Sequence, residues 1–363
     1  MKMVILGAGA SFDSIFNHEY NGDLLKWCPP LGKDLFSYKP LCNELLRHYP
    51  GAESFRSEIS YSNDIEELFQ NKYALAHGSN GANLLLQIVN VQFYLQELFS
   101  EISYKYVNFG PSNYDTLIRQ AYDYHLKTGE DVLFVTFNYD SLLEKSFEKI
   151  VGKPIKDIHD YIRYPIKIIK PHGSCNWVKR INVGDNAGPI YMQGILKFLY
   201  DETNMNSVLN AIDSSNEDYE LFDSRIIEYR INKTFAFPQL LIPLKHKDDF
   251  ILPVDHKELL EKALGKVDDI LIIGWKANEQ SFYKLMQEKI YSNSLKVKIV
   301  CGSDKSITSR LYGLNIVECK YFNEPLFKDN DLLLKDGIPI SGTFSSYMQN
   351  TSKSDDHKFF KNV

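Results

Sequence analysis

Short apolar runs recur along the chain, and each ends in glycine or polar residues before a segment with helical periodicity. Continuous runs of this kind are typical of strands that are buried on both faces of a sheet. The predicted strands are Val4–Leu6, Asp131–Phe137, Ile166–Ile169, Leu240–Pro243, Asp269–Ile273 and Val297–Val300. The predicted helices cover residues 64–77, 81–104, 113–127, 141–150, 255–265 and 279–291. This alternation predicts an α/β fold with a doubly wound, Rossmann-like parallel sheet, helical segments and a small inserted subdomain.

The insertion is predicted where the composition changes. Residues 180–235 are rich in Asn, Asp and Ser and contain fewer long apolar runs, and residues 341–363 are rich in Ser and Lys and read as a loose tail. The predicted division has a main α/β domain formed by residues 1–178 and 239–320, an inserted subdomain at 179–238 and a C-terminal extension at 321–363.

Composition and charge limit the class of protein. The chain has 363 residues, of which 44% are hydrophobic and 24% charged, as is usual for a globular protein. A net charge of −6 and a pI of about 5.9 argue against direct nucleic-acid binding. Neither a membrane span nor a signal peptide is evident, which predicts a cytoplasmic protein without membrane contact. The five cysteines lack Cys-x-x-Cys spacing, so we predict no metal site and no disulfide scaffold.

Polar or glycine-containing turns follow the predicted strands. Ligands of an open parallel sheet bind beyond the carboxyl ends of its strands, so we expect these turns to meet along one edge. They are Gly7–Ser11, Asn138–Asp140, His172–Ser174, Gly274–Trp275 and Cys301–Ser303.

The first turn has two interpretations. Glycine lets backbone amides approach a pyrophosphate closely, which would make Gly7, Ala8, Gly9 and Ser11 a phosphate cradle. The alternative is a tight turn with no ligand. The third glycine of the dinucleotide fingerprint is missing, and no acid is evident roughly 20 residues further on, which disfavours an ordinary dehydrogenase.

Four further side chains are candidates for chemistry or for structure. Asn138 and Asp140 could hydrogen-bond a ribose and orient a water, or either could cap the helix that follows. His172 lies between Pro171 and a glycine at a strand end, where it could accept a proton near neutral pH. Cys175 lacks a partner motif, so we interpret it as a packed thiol.

Taken together, these turns resemble the sirtuin (SIR2) superfamily, and in finer detail the bacterial SIR2-like proteins of antiphage defence. The matching segments occur in order within residues 3–305: Gly7–Ser11, Thr136–Asp140, Pro171–Trp177, Leu241–Leu244 and Ile272–Trp275. Two departures stand out. The four-cysteine zinc module of sirtuin deacetylases is missing, which puts deacetylation in doubt. Lys276–Asn278 replaces the small hydroxyl residue that usually follows Gly274-Trp275, which puts that ligand contact in doubt.

The resemblance implies an NAD hydrolase that forms ADP-ribose and nicotinamide, with NAD as substrate and no metal. It implies His172 as general base and Asn138 as the residue that positions the water or the ribose. The implied NAD-binding residues are Gly7, Ala8, Gly9, Ser11, Asp140, Gly274, Trp275 and Gly302.

The resemblance also implies restraint by assembly, because a free NAD hydrolase would kill its host. The implied partners are a second copy of the chain or an ATPase, Argonaute-like or nucleotide-processing subunit. The long apolar helices within 81–127 are candidate assembly surfaces or simply core elements. Two other functions stay open: a non-catalytic module that senses NAD or ADP-ribose, and a protein deacetylase or ADP-ribosyltransferase.

Overall fold

The fold is taken from a computed structural model of the chain. The residues it describes are 1–14, 27–37, 39–61, 68–69, 71–72, 75, 82–106, 110–182, 219–223, 230–231, 234–241, 250–290, 294–301, 307–322, 343–353 and 358–360. Strands and helices are numbered along the chain. Most of the predicted helix over 64–77 lies outside the described residues.

A six-stranded parallel sheet forms the centre of the fold, in the order β10-β9-β8-β1-β2-β3. Its strands are β1 (Lys2–Leu6), β2 (Val132–Thr136), β3 (Ile166–Ile169), β8 (Asp269–Ile273), β9 (Leu295–Val300) and β10 (Ile316–Phe322). The first strand lies inside the sheet, and the chain proceeds outward from it in both directions. This order is that of a doubly wound, Rossmann-like sheet, which confirms the predicted fold class.

The strand register brings the ends of the central strands to one level. Leu6 at the end of β1 pairs with Thr136 of β2 on one side and with Ile273 of β8 on the other. The residues that follow these strands therefore emerge side by side at the carboxyl edge of the sheet.

Helices surround this sheet and account for most of the remaining described chain. They are α1 (Ala8–Phe12), α2 (Pro40–Leu46), α3 (Pro50–Tyr61), α4 (Ala82–Tyr106), α5 (Asn113–Thr128), α6 (Leu142–Val151), α7 (Asp160–Arg163), α8 (Val254–Leu264), α9 (Gln280–Lys289), α10 (Ile307–Arg310) and α11 (Thr343–Lys353). Ser112 and Asp115 form a capping box at the start of α5, and Gly129 ends that helix at a φ of 72°.

A second, antiparallel sheet has the order β5-β4-β7-β6. Its strands are β4 (Gly173–Asn182), β5 (Tyr219–Leu221), β6 (Arg230–Ile231) and β7 (Thr234–Leu240). The strand predicted at Leu240–Pro243 is wrong at Leu241, because β7 ends at Leu240 and belongs to this second sheet. Ile242 and Pro243 lie outside the described residues. Strands β4 and β7 cross the boundaries predicted at 178/179 and 238/239, and the domain division stays a prediction.

The long helix α4 packs on this second sheet. The ring of Phe93 lies 5.9 Å from that of Phe235 and 5.7 Å from that of Phe237, both in β7. Most of the helix is buried, including the polar side chains of Asn90 and Gln96. Helix α4 is therefore a core element, which is one of the two interpretations of this segment.

The C-terminal helix α11 is part of the core. Phe344, Tyr347 and Met348 are buried, and the ring of Phe344 contacts that of Tyr114 in α5 at 5.7 Å. The loose tail predicted for 341–363 is therefore wrong over α11, because apolar residues spaced three and four apart give the helix a face to bury. Within the described residues, no helix has the length and apolar character that crossing a membrane requires.

Candidate functional site

The turns after the central strands meet at the carboxyl edge of the parallel sheet. The Gly7 amide donates to the Ile273 oxygen at 3.0 Å, and the Phe137 amide donates to the Leu6 oxygen at 3.0 Å. On the far side of β8, the Gly274 amide donates to the Val300 oxygen at 3.1 Å. The structure thus brings together the turns after β1, β2 and β8 and the end of β9, and of the predicted turn Cys301–Ser303 only Cys301 lies within the described residues. Gly302, another predicted NAD-binding residue, lies outside the described residues.

The glycines of the first turn are required by close packing of two backbones. A Cβ atom on Gly7 would lie 2.5 Å from the Gly274 oxygen, and one on Gly274 would lie 2.4 Å from the Ala10 nitrogen. Gly274 also has a φ of 60°, which L side chains rarely adopt. The Gly9 amide donates to the Gly274 oxygen at 3.2 Å. The amides of Gly7 and Gly9 are therefore engaged within the fold, as the tight-turn interpretation requires.

Asn138 is the centre of a buried polar cluster. Its Nδ2 donates to the Gly7 oxygen at 3.0 Å and to Ser11 Oγ at 2.9 Å, and Ser11 Oγ lies 2.9 Å from the Tyr114 hydroxyl. Burial raises the pKa of Tyr114 well above its usual range, so its hydroxyl stays protonated and can donate to Ser11. The side-chain amide of Asn138 thus ties the end of β2 to the first turn and to α5.

Asp140 completes this cluster and bonds to the start of the next helix, but neither Asn138 nor Asp140 is its N-cap, because Ser141 holds that position without a side-chain capping hydrogen bond. The Oδ1 atom of Asp140 accepts from the Leu142 amide at 3.2 Å at the start of α6. Burial raises the pKa of Asp140, while the nearby Lys170 ammonium and a hydrogen bond from Ser11 act in the opposite direction. Asp140 therefore has a structural role at the helix terminus besides any role towards a ligand.

Lys170 is a buried cation beside these residues, and the sequence analysis did not identify it. Its Nζ lies 2.7 Å from Glu144 Oε1 and also donates to the Asp140 carbonyl oxygen. Both side chains of this ion pair are almost completely shielded from solvent. A lysine directly after the buried pair Ile168-Ile169 at the end of β3 was the available signal, since a charge at such a position needs a buried partner.

His172 lies in an aromatic group next to the polar cluster. Its ring is 4.9 Å from that of Phe137, and Phe137 in turn stacks on Trp275 at 5.4 Å with an interplanar angle of 5°. Trp275 Nε1 donates to Glu279 Oε2 at 2.6 Å. Because Phe137 and Asn138 are consecutive at the end of β2, they connect this aromatic group to the polar cluster.

Cys175 is a packed thiol in the structure, as the sequence analysis favours. The side chain is buried, and burial raises its pKa to about 11. A thiol in this state is protonated at neutral pH and is a poor nucleophile.

The open side of this edge carries exposed residues of two turns. Ala8 and Lys276 are exposed, and Gly9 and Gly274 are half-buried between them. The guanidinium of Arg310 donates to the Lys276 carbonyl oxygen at 2.5 Å, which places a second cation at this rim. Two cationic side chains near the glycine turns would favour an anionic ligand.

Among the described residues, no three His, Cys, Asp or Glu side chains could together hold a metal ion. A cavity of about 690 Å³ lies at the opposite, amino-terminal edge of the sheet, next to Met1 and Asp131. Its charged side chains include the ion pairs Lys167–Asp131 and Lys262–Glu258, so its lining is largely self-neutralised.

Comparison with known proteins gave no family model and no curated protein that matches the chain. Among solved structures, the crystal structure of a Sir2 homologue in complex with NAD is similar, with a TM-score of 0.42 and 12% identity. The similarity covers 97% of this chain and 88% of that chain. A mutant Sir2 homologue in complex with ADP-ribose has a TM-score of 0.37 and 12% identity, over 86% of this chain and 85% of that chain. At these TM-scores the two structures add nothing to what the chain's own residues show.

Proposed function

We propose that the chain binds NAD at the carboxyl edge of its parallel sheet and hydrolyses it to ADP-ribose and nicotinamide. The observation that carries this proposal is the meeting of the glycine turn, Asn138, Asp140 and His172 at one sheet edge. These residues come from strands far apart in sequence, yet they occupy the region where open parallel sheets bind ligands.

The binding roles follow from exposure and charge. Ala8, Gly9 and Gly274 line the open side of the two turns, and Lys276 and Arg310 lie at the rim beside them. We assign the pyrophosphate to this rim. Trp275 and Ser11 act indirectly, because both are buried and hold neighbouring residues in place.

The chemical roles follow from where charge develops on the substrate during cleavage. Cleavage of the bond between nicotinamide and ribose builds positive charge on the sugar, as in other glycosidic cleavages. The Nδ2 atom of Asn138 is used within the fold, so its Oδ1 is the atom we assign to a ribose hydroxyl or the attacking water. His172 takes a proton from that water or from a ribose hydroxyl, nicotinamide leaves with the bonding electron pair, and ADP-ribose and a proton are released.

The test is nicotinamide release by the purified full-length chain, measured by chromatography, beside calorimetry of NAD binding. His172→Ala is expected to lower release by a factor of roughly 100 to 10,000 with the fold intact. His159→Ala is the matched control, because His159 is 69% exposed and pairs with Asp255 away from the site. Equal turnover by the folded His172 variant and the wild type would contradict the assigned role.

A non-catalytic NAD-sensing module is the second candidate function. It is favoured by the structural use of Gly7, Gly9 and Asn138, since these residues would be required by the fold without any catalysis. Calorimetric binding of NAD with no nicotinamide release, alone or with a partner subunit, would identify this function. Acetyl release from an acetylated peptide would identify a deacetylase.

We further propose that hydrolysis serves to deplete NAD in antiphage defence. The support is the resemblance of the segment Pro171–Trp177, and of the ordered turns around it, to the SIR2-like proteins of such systems. Restraint by a partner subunit or by self-assembly is part of this proposal. Phage infection of cells that carry the wild-type or the His172→Ala gene, with NAD measured in extracts, tests it.

A further inference from the structure

The buried ammonium of Lys170 connects the two turns that carry the proposed chemical groups. It donates to the main-chain oxygen of Asp140, in the turn after β2, and forms an ion pair with Glu144 in the first turn of α6. Lys170 itself is the residue that follows β3. A single side chain thus joins the ends of two neighbouring strands.

His172 lies inside a tight turn that begins at Lys170. The Gly173 amide donates to the Lys170 oxygen at 2.9 Å, and Gly173 has a φ of 73°. A Cβ atom on Gly173 would lie 2.0 Å from the Gln239 oxygen, so this turn is also held against β7. Because the turn is short and closed, the position of Lys170 determines that of His172.

We propose that Lys170 is a positioning residue that holds the turn of His172 against the turn of Asn138 and Asp140. This inference rests on the proposed function, since it assigns the residue that sets the geometry of the same site. Displacement of a catalytic group by about 1 Å can lower a rate by about 100-fold. Loss of the Lys170 contacts should therefore lower kcat and leave KM for NAD almost unchanged.

The variants must separate positioning from simple stability. Lys170→Met alone leaves Glu144 as a buried charge without its partner, which destabilises strongly. The double variant Lys170→Met with Glu144→Gln removes both charges and keeps an acceptor for the Tyr161 hydroxyl, which donates to Glu144 at 3.2 Å. Lys167→Met is the matched control, since Lys167 lies on β3, three residues before Lys170, and pairs with Asp131 at 3.2 Å.

Two measurements are made on the full chain. The first is kcat and KM for nicotinamide release. The second needs no NAD: it is hydrogen exchange of the Ser141 and Cys175 amides, which donate to Ser103 Oγ and to the Tyr139 oxygen in these turns. We expect the double variant to lose at least about 100-fold in kcat, with KM within about threefold, and to exchange both amides faster. The Lys167→Met variant should match the wild type in both measurements.

Retention of kcat within about threefold by a folded double variant would overturn the proposal, and so would equal losses in the Lys167→Met variant. Should the double variant not fold, Lys170→Gln with Glu144→Gln replaces it, because two neutral amides can hydrogen-bond to each other in place of the buried ion pair. The same criteria then apply: a loss of at least about 100-fold in kcat with KM unchanged supports positioning, and retention of kcat within about threefold overturns it. If the wild type releases no nicotinamide, the proposed function fails, and hydrogen exchange of the Ser141 and Cys175 amides decides the positioning role alone. Faster exchange in the double variant but not in the Lys167→Met variant supports that role, and unchanged exchange overturns it.

Discussion

The side-chain amide of Asn138 donates to the main-chain oxygen of Gly7 at 3.0 Å, across 131 residues of sequence. The same amide reaches Ser11 Oγ at 2.9 Å. One side chain at the end of β2 therefore holds both the start and the body of the first turn. Asn138 is thus a structural residue, and its proposed catalytic role uses only the oxygen of its side chain.

Replacement of Asn138 by Ala should lower both stability and turnover. The Gly7 oxygen and Ser11 would lose a buried donor, which typically costs about 1–3 kcal/mol of unfolding free energy. Denaturant unfolding and nicotinamide release measure the two effects. Asn315→Ala is the control, because this side chain is exposed and its loss should change stability by less than about 0.5 kcal/mol. Wild-type stability of the Asn138 variant would show that these hydrogen bonds are not significant.

Gly274→Ala should be far more destabilising than Gly152→Ala. Both glycines have positive φ, 60° and 71°, so alanine incurs backbone strain of about 1–2 kcal/mol at either position. Only at Gly274 would the new Cβ also overlap backbone, 2.4 Å from the Ala10 nitrogen, whereas at Gly152 nothing lies within 4 Å. Thermal unfolding of the two variants compares them directly. Equal losses would mean that the turns after β1 and β8 can separate without penalty.

Ser345→Ala should loosen the C-terminal helix from the end of α1. The Ser345 amide and hydroxyl donate to the carboxylate of Asp13 at 2.8 and 2.6 Å, and Asn113 Nδ2 donates to Ser345 Oγ at 2.8 Å. Loss of the hydroxyl leaves buried polar atoms unsatisfied, and we expect a loss of about 1–3 kcal/mol. Asn350→Ala on the same helix is the control, since Asn350 is half-buried and bonds only within α11 among the described residues. Faster proteolysis near residue 343 in the Ser345 variant alone would confirm the effect.

Acidification below about pH 6.5 should destabilise the protein through His256. This residue is fully buried, its Nε2 donates to the Ile158 oxygen at 2.9 Å, and burial lowers its pKa. Below pH 6.5 the unfolded chain binds a proton that the folded chain does not, so stability falls by up to about 1.4 kcal/mol per pH unit.

His256→Gln keeps a donor for Ile158 and removes the titration, so its unfolding free energy should fall less between pH 7.5 and 5.5. His48→Gln, at an exposed histidine between α2 and α3, is the control and should behave as the wild type. Parallel pH profiles for the His256 variant and the wild type would contradict this assignment.

Elements of the fold with a strong local pattern could be predicted from the sequence. The strands Ile166–Ile169 and Asp269–Ile273 match the prediction at both ends, and the helices over 81–104 and 113–127 are found at Ala82–Tyr106 and Asn113–Thr128. Their signals are continuous apolar runs and apolar residues spaced three and four apart, which depend only on neighbouring residues. The turns of the candidate site were predicted for the same reason, since each directly follows a strand.

The partners of these turns were not predictable. The sequence analysis did not identify Lys170 and Tyr114, because their roles depend on contacts with Glu144 and Asn138. These contacts form only once the strands and helices have packed.

The sequence by itself determined five strands of the parallel sheet, β1, β2, β3, β8 and β9, and the polar residues at their ends, whereas it predicted neither β10 nor most of the antiparallel sheet. Only the tertiary structure decided that Asn138 is anchored on Gly7, that Asp140 accepts from the Leu142 amide at the start of α6, and that the C-terminal helix is docked on Asp13. The physical reason is the separation in sequence over which each interaction acts. Local periodicity depends on residues only a few positions apart. The hydrogen bond between Asp13 and Ser345 joins positions 332 residues apart and exists only after the sheet and its helices have assembled.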